Sequence, residues 1–414
     1  MDKMRKAPAT SSATWETLET FARLRVQEFI QQLLDDEVTE LLGRPKSARR
    51  GAVDAPAGVR NGHGKPRRLS LMNGTVTVRR ARVRDLDERF VSRLLPLFQR
   101  RTPEVSALLP ELYLHGLALG DFELALRGLL GDAAPLSASS LGRLKATWQA
   151  QHAAWQQRDL SAMQLVYLWA DGVYVKAGLE HSKAALLVLI GADADGQKHV
   201  LAVTSGERES AASWSAVLRD LKARGLRAPK LTIADGHLGI WGAITAVYPT
   251  SAEQRCWNHK LRNVLDLVPR KRQAEITVQL QEIAAAETLH AATQRRDAFA
   301  RRHRRALPKA VACLERDWER LVVYYAFPQE HWKHLRTTNV IESPFAAVRL
   351  RTSAAKRYKN VESATTLIWR ILLVVEQHFR KLNAPDLCTA VYEGVAFHDG
   401  LRTVTPPRET RRAA

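Results

Sequence analysis

Two segments of this chain run an apolar, β-like stretch straight into Asp-Gly, which constrains the available folds more than any other feature of the sequence. In MQLVYLWADGVYVK the run Leu165 to Ala170 closes at Asp171. In KLTIADGHLGIWGAI the run Lys230 to Ala234 closes at Asp235, Gly236 breaks the strand, and an apolar-periodic helix follows. Parallel sheets gather such strand ends on one edge, where irregular backbone is open to a ligand. A single Asp before a turn is more often a turn residue, and Asp193 and Asp195 read that way. Two of them on strands that one sheet can bring together make a candidate site.

The 414-residue chain carries 63 Lys and Arg against 43 Asp and Glu, a formal net charge of +20. Such a surface attracts polyanions, so acids clustered within it need a reason. A third acid, Glu342, lies in HLRTTNVIESPFAAVRLRT at the opening of a helix-like stretch. Two strand-end aspartates and a helix-borne glutamate can converge on two hard cations, Mg²⁺ or Mn²⁺, which prefer oxygen ligands. In two-metal phosphoryl chemistry the ions stand roughly 3.5 to 4 Å apart, one activating the attacking oxygen and the other stabilising the leaving one. The competing reading of Glu342 is a capping box begun by Asn339, in which the Glu merely satisfies a backbone amide. Pro344 complicates it by disfavouring helical geometry at Ser343 and moving the helix start towards Ser343-Pro344.

The strings DGHLGIW, QRCWNHKLRN and HWKHLRTTNVIESPFAAVRLRT resemble the signature blocks of the Mutator-type family of bacterial insertion-sequence transposases, within the DDE superfamily. The likeness runs from about Arg60 to about Leu382. It implies an α/β catalytic core of ribonuclease-H-like type, a mixed five-stranded sheet interrupted by an all-α insertion. A mainly α-helical DNA-binding region with a β-hairpin precedes that core. Asp171, Asp235 and Glu342 take the catalytic and metal-binding positions, with two Mg²⁺ or Mn²⁺ ions, and Cys256 and His259 the supporting Cys-x-x-His positions. The implied partners are double-stranded DNA, as terminal inverted repeats and as target, and at least one further copy of the chain. Two other readings stay open: a non-catalytic DNA-binding relative, and a structure-selective nuclease on the same fold.

Residues 1–92 read as a helix, a linker and a basic hairpin. Trp15 to Leu42 is apolar at helical spacing and stops at Gly43, residues 44 to 68 lose periodicity, and RLSLMNGTVTVRRARVR alternates around Asn73-Gly74. Arg80, Arg82 and Arg84 then share one face of the hairpin's second strand as a basic ribbon. Residues 93–160 hold two amphipathic stretches, Glu104 to His115 and Asp121 to Leu130, joined by a turn at Gly116 to Gly120, and a third opening at Ser137. This is either a helix-turn-helix region, exposing Ser139, Ser140, Arg143 and Lys145 to DNA, or an ordinary three-helix unit. Residues 161–266 follow the order βββαβαβ, the first part of the ribonuclease-H-like core. Residues 267–329 are the helical insertion, where Arg301, Arg302, Arg304 and Arg305 spread over most faces of a helix as a phosphate-tracking or merely solvated surface. Residues 330–382 complete the core and 383–414 form the tail, disordered from residue 401.

Cys256 and His259, if helical, lie on one face. Either His259 stands near the scissile phosphate or a metal-bound carboxylate while Cys256 fixes the helix, or the pair ligates a metal directly, or both are ordinary packing residues. Residues seven apart on a helix differ by about 20° in direction. Arg349 should therefore share the face of Glu342 if one helix carries both, with Arg351 nearby as a second DNA contact. Trp257, Trp318 and Trp332 either stack on bases or pack in the core. Three scattered cysteines, no signal-peptide core and no apolar run long enough for a bilayer point to an intracellular protein, and the resemblance implies the bacterial cytoplasm, on the nucleoid.

Overall fold

The computed structural model describes residues 14, 17–51, 56–115, 117, 122–131, 138–177, 183–206, 210–236, 238–355, 358 and 360–403. The chain divides into two compact units, Met1–Leu144 and Lys145–Ala414.

In the first unit, helix α1 (Leu18–Leu42) ends at Gly43, whose φ of 61° is the left-handed cap the sequence calls for. Strands β1 (Val59–His63) and β4 (Ala81–Arg84) pair antiparallel, and β2 (Arg67–Leu71) and β3 (Gly74–Val78) form the expected hairpin. One side of α1 covers both ribbons. Leu34 packs with Leu69, Val76, Val78 and Leu95, while Val38 and Leu42 pack with Ala81. The exposed edge of β3 is satisfied by α1 side chains, since the Thr77 and Arg79 amides donate to Gln27 and Gln31 one helical turn apart. Two expectations change here. The supposed linker contains β1 and the start of β2, and the arginine ribbon is split. Arg82 and Arg84 lie exposed on β4, paired to β1 and not to the hairpin, whereas Arg80 sits half-buried in the break after β3.

Helices α2 (Pro103–Leu114), α3 (Phe122–Leu130) and α4 (Ala138–Gln156) supply the three-helix series. The turn at Gly116 to Gly120 lies outside the described residues apart from residue 117, as do Ser137 and the side chains of Ser139 and Ser140.

The second unit is built on a five-stranded sheet of order β7-β6-β5-β8-β9. The strands are β5 (Leu165–Lys176), β6 (Lys183–Asp193), β7 (Lys198–Gly206), β8 (Leu231–Ala234) and β9 (Ala252–Arg255). The first three form an antiparallel meander, with Asp193 organising the turn between β6 and β7. Strands β8 and β9 then add parallel to β5, each after a helix, α5 (Ala211–Ala223) or α6 (Leu238–Val247). These helices cover one face, where Leu168, Ala170, Leu187 and Leu189 meet Trp214, Leu218, Ile240 and Ile244. Side chains alternate along β5, so Tyr167 and Trp169 point the other way. They are held there by His331 and by the carbonyl of His334.

After β9 come α7 (Trp257–Leu265) and the helical stretch α8 (Arg270–Ala284), α9 (Leu289–His303), α10 (Pro308–Arg316) and α11 (Trp318–Leu321). Two 3₁₀ turns lead to α12 (Trp332–Leu335), α13 (Asn339–Glu342) and α14 (Phe345–Ala355). The chain then forms α15 (Val361–Glu376), α16 (Asp386–Glu393) and a small ribbon, β10 (Phe397–His398) with β11 (Leu401–Arg402). Trp257, Trp318 and Trp332 are all buried, which decides for packing over base stacking. Of the tail expected to be disordered, Leu401 and Arg402 are strand residues and 404–414 lie outside the described residues. Among the described residues no helix is long and apolar enough to cross a membrane.

Candidate active site

Strand register sets the site. Ala170 lies opposite Ala234, and Ala234 opposite Arg255, so the next residue on each of the three strands is Asp171, Asp235 and Cys256. The Cys256 amide donates to the Ala234 carbonyl at 2.8 Å and fixes that step. One expectation needs correcting. Asp171 does not end its strand: β5 continues to Lys176 along β6, and what ends at Ala170 is the parallel pairing with β8. The sheet edge is a notch cut by the shorter neighbour.

Gly236 turns the chain away from Asp235 with φ of 91°, and a Cβ there would come within 2.5 Å of the Arg255 guanidinium. That guanidinium is part of a buried ion network. Arg255 and the fully buried Lys260 both bond Asp317, at the junction of α10 and α11, and Arg255 also reaches Asn263. Desolvation raises Asp317, but the Lys260 hydrogen bond and the Arg255 and Lys260 charges outweigh it and hold the carboxyl below its ordinary value. The segment between β9 and α7 is thereby tied to the helical insertion.

Glu342 approaches from the other side of the chain. The Trp257 amide donates to the Arg336 carbonyl, and Asn258 donates to Asn339, which join the start of α7 to the start of α13. Asn339 is therefore not a helix cap, and the capping-box reading fails. The cap position belongs to Thr338, whose hydroxyl donates to Glu342 Oε1 at 2.6 Å instead of serving the helix backbone. Pro344 ends α13, and α14 is a separate helix. The single helix expected to carry both Glu342 and Arg349 is thus two, yet exposed Arg349 still comes to 3.5 Å from the Glu342 carbonyl.

His259, in the first turn of α7, places Nδ1 3.8 Å from Glu342 Oε1. The ligand atoms of Cys256, His259 and Glu342 all lie within 4.8 Å of one another. Burial, joined by the Asp235 and Glu342 charges, raises the Asp171 carboxyl to about 7, against the Gly172 amide and His259, which lower it. His259 is raised to about 9, first by hydrogen bonding with Cys256 and then by the Cys256, Asp235 and Asp171 charges, against desolvation. The three acids and His259, all half-buried, thus interact electrostatically with one another.

The family model for Mutator-family transposases matches residues 4–381. The chain belongs to that family. The chain is 44% identical over 308 residues to the transposase for insertion sequence element IS6120 of Mycolicibacterium smegmatis, covering 73% of this chain and 95% of that one. It is 42% identical over 293 residues to the transposase for element IST2 of Acidithiobacillus ferrooxidans, covering 70% and 99%. A solved Drosophila P element transposase strand transfer complex covers 68% of this chain and 83% of its own at a TM-score of 0.29 and 10% identity, too slight a likeness to bear on the fold.

Apart from Arg349 and Arg351, the basic residues singled out in this Mutator-family transposase lie away from the acids in sequence. Arg143 is exposed and Lys145 half-buried on α4. Arg301 and Arg302 are exposed in the last turn of α9, but the helix stops at His303, so Arg304 and Arg305 belong to the following turn and do not extend a helical stripe. Arg304 is engaged by Glu315. Arg351 is only 2% exposed, so it does not present its guanidinium to solvent. The sequence reading passed over a basic cavity of about 890 Å³ in the first unit, lined in part by Arg44, Lys46, Arg49, Arg50, Arg60 and Arg82. Its signal was the arginine-rich stretch assigned to a linker.

Proposed function

We propose that this transposase cuts the ends of its element and joins them to target DNA at one site made by Asp171, Asp235 and Glu342, on a core of ribonuclease-H-like type. The antiparallel meander followed by two parallel strands, with acids beside the β5–β8 junction, supports that core. The observation that carries the site is the strand register that sets Asp171 and Asp235 side by side at the β5–β8 junction, with Glu342 brought in from α13. Burial and the two neighbouring acids also raise the Asp171 carboxyl to about 7, a state that a cation would relieve. The oxygen-only donor set of the three acids suits Mg²⁺ or Mn²⁺. Two such ions, when bound, activate an attacking oxygen and stabilise a leaving one in an in-line displacement. Asp171 and Asp235 are the fixed pair, each set by strand register, and Glu342 closes the set from α13. Protonated His259 offsets the crowded negative charge beside Glu342.

With this arrangement water first attacks a phosphodiester at the element end and frees a 3′-hydroxyl, which then attacks a phosphodiester of the target. Both are displacements at phosphorus, so one set of residues serves both without a covalent enzyme intermediate. The partners are double-stranded end and target DNA at the bacterial nucleoid, and at least one further copy of the chain, because two ends must be held together. Asp171→Asn, Asp235→Asn and Glu342→Gln are each expected to abolish cleavage and joining of labelled end DNA while leaving its gel shift nearly unchanged. Normal cutting by any one of them rejects the three-acid assignment.

A further inference from the structure

Thr338 is fully buried, and its position is unusual for a threonine that begins a helix. A threonine there ordinarily accepts a hydrogen bond from an amide one turn on. Thr338 makes no such bond. Its Oγ1 instead stands among three functional atoms: 2.6 Å from Glu342 Oε1, 3.2 Å from Cys256 Sγ and 3.4 Å from His259 Nδ1. Its backbone amide also donates to Cys256 Sγ at 3.3 Å.

A hydroxyl has one hydrogen to give and two lone pairs to accept with. The shortest contact takes the hydrogen, so Thr338 donates to the Glu342 carboxylate. A lone pair is then free to accept from the protonated His259 ring, while Cys256 Sγ accepts from the Thr338 amide. Resting on the three-acid reading above, we propose that Thr338 is the positioning residue of the third acid: its hydroxyl holds Glu342 Oε1 and leaves Oε2 for a cation. The same oxygen fills the space between Cys256, His259 and Glu342, where a thiol-seeking metal would otherwise sit. Cys256 accordingly acts through Thr338, by accepting from its amide, while His259 both contacts the Thr338 hydroxyl and faces Glu342 directly.

The test is Mn²⁺ binding to the full chain, read from the electron paramagnetic resonance of free Mn²⁺, which needs no turnover. Thr338→Val keeps the shape and removes the hydroxyl. It is expected to weaken Mn²⁺ binding about 10- to 100-fold, the usual cost of losing a partner behind a metal ligand. Thr338→Ser, which keeps the hydroxyl, should bind close to wild type, and Thr338→Ala serves if the valine variant does not fold. Wild-type Mn²⁺ affinity in the folded valine or alanine variant overturns the proposal. So does an equal loss in Thr338→Ser, which would assign the effect to the methyl group. A thiolate-to-metal absorption band on adding Co²⁺ to the wild-type chain also overturns it, because Cys256, His259 and Glu342 would then hold a metal themselves. Glu342→Gln is the control. If it binds Mn²⁺ as wild type does, the three-acid reading fails; if it loses binding while Thr338→Val does not, only the role of Thr338 fails.

Discussion

At Asp171 the folded chain keeps a proton that an unfolded chain gives up. Between the ordinary value of 3.8 and about 7 the native state therefore binds more protons, and stability falls as pH rises through that window. His259 adds a slope of the same sign. Raised from 6.5 to about 9, it contributes stability that is complete below 6.5 and lost as pH climbs to about 9. A divalent ion favours the deprotonated Asp171, so saturating Mn²⁺ should flatten the lower part of the slope, as should Asp171→Asn. Thermal melting from about pH 5 to about pH 8 with and without Mn²⁺ checks this. An identical slope in both series counts against a cation at Asp171. Asp171 and Asp235 were legible in the sequence because apolar runs point to them. Thr338 was not, since its partner Cys256 is 82 residues away and a threonine in a polar string carries no periodic signal.

The helical insertion is tied to the β9–α7 junction through Asp317, which faces both Arg255 and Lys260. Removing one member of a buried ion network leaves the others charged and unpaired, at a cost of about 3 to 5 kcal/mol. Asp317→Ala should show a loss of that size by urea unfolding, and it should reduce cutting per folded molecule because Cys256 and His259 stand on the same junction. A loss below about 1 kcal/mol would mean that solvent reaches these cations and that the tie is slight. Elements with a strong local pattern were readable: the βββαβαβ order, the Asn73-Gly74 hairpin and α1 with its glycine stop all match. Strand β1 was missed because Val-Arg-Asn-Gly-His has no alternation, and its pairing with β4 lies outside the hairpin signal. The length of β5 was misread because its pairing with β6, not its own apolar run, carries it past Asp171.

Over the whole molecule the excess of 20 positive charges sets how DNA is held. Each phosphate neutralised releases a counterion, so a protein making 6 to 10 such contacts loses about 10³- to 10⁵-fold in affinity between roughly 50 and 200 mM salt. Gel shifts with end DNA over that range should show a drop of about a thousandfold or more. A nearly flat dependence would shift recognition from the arginines to uncharged contacts. Composition predicted a polyanionic partner but not the basic cavity on the first unit, because a cavity is a property of packing and not of residue counts.

The sheet strands that pair with those carrying Asp171 and Asp235 all lie within residues 165–255, whereas Glu342 finds Cys256, His259 and Thr338 only once residues 331–342 are in place. A ribosome delivers these pieces in that order. On the three-acid reading, a nascent chain has its first two acids long before the third leaves the exit tunnel, and the whole insertion is translated in between. On that reading, a protein made within reach of DNA stays unarmed until the segment carrying Glu342 has been translated and folded.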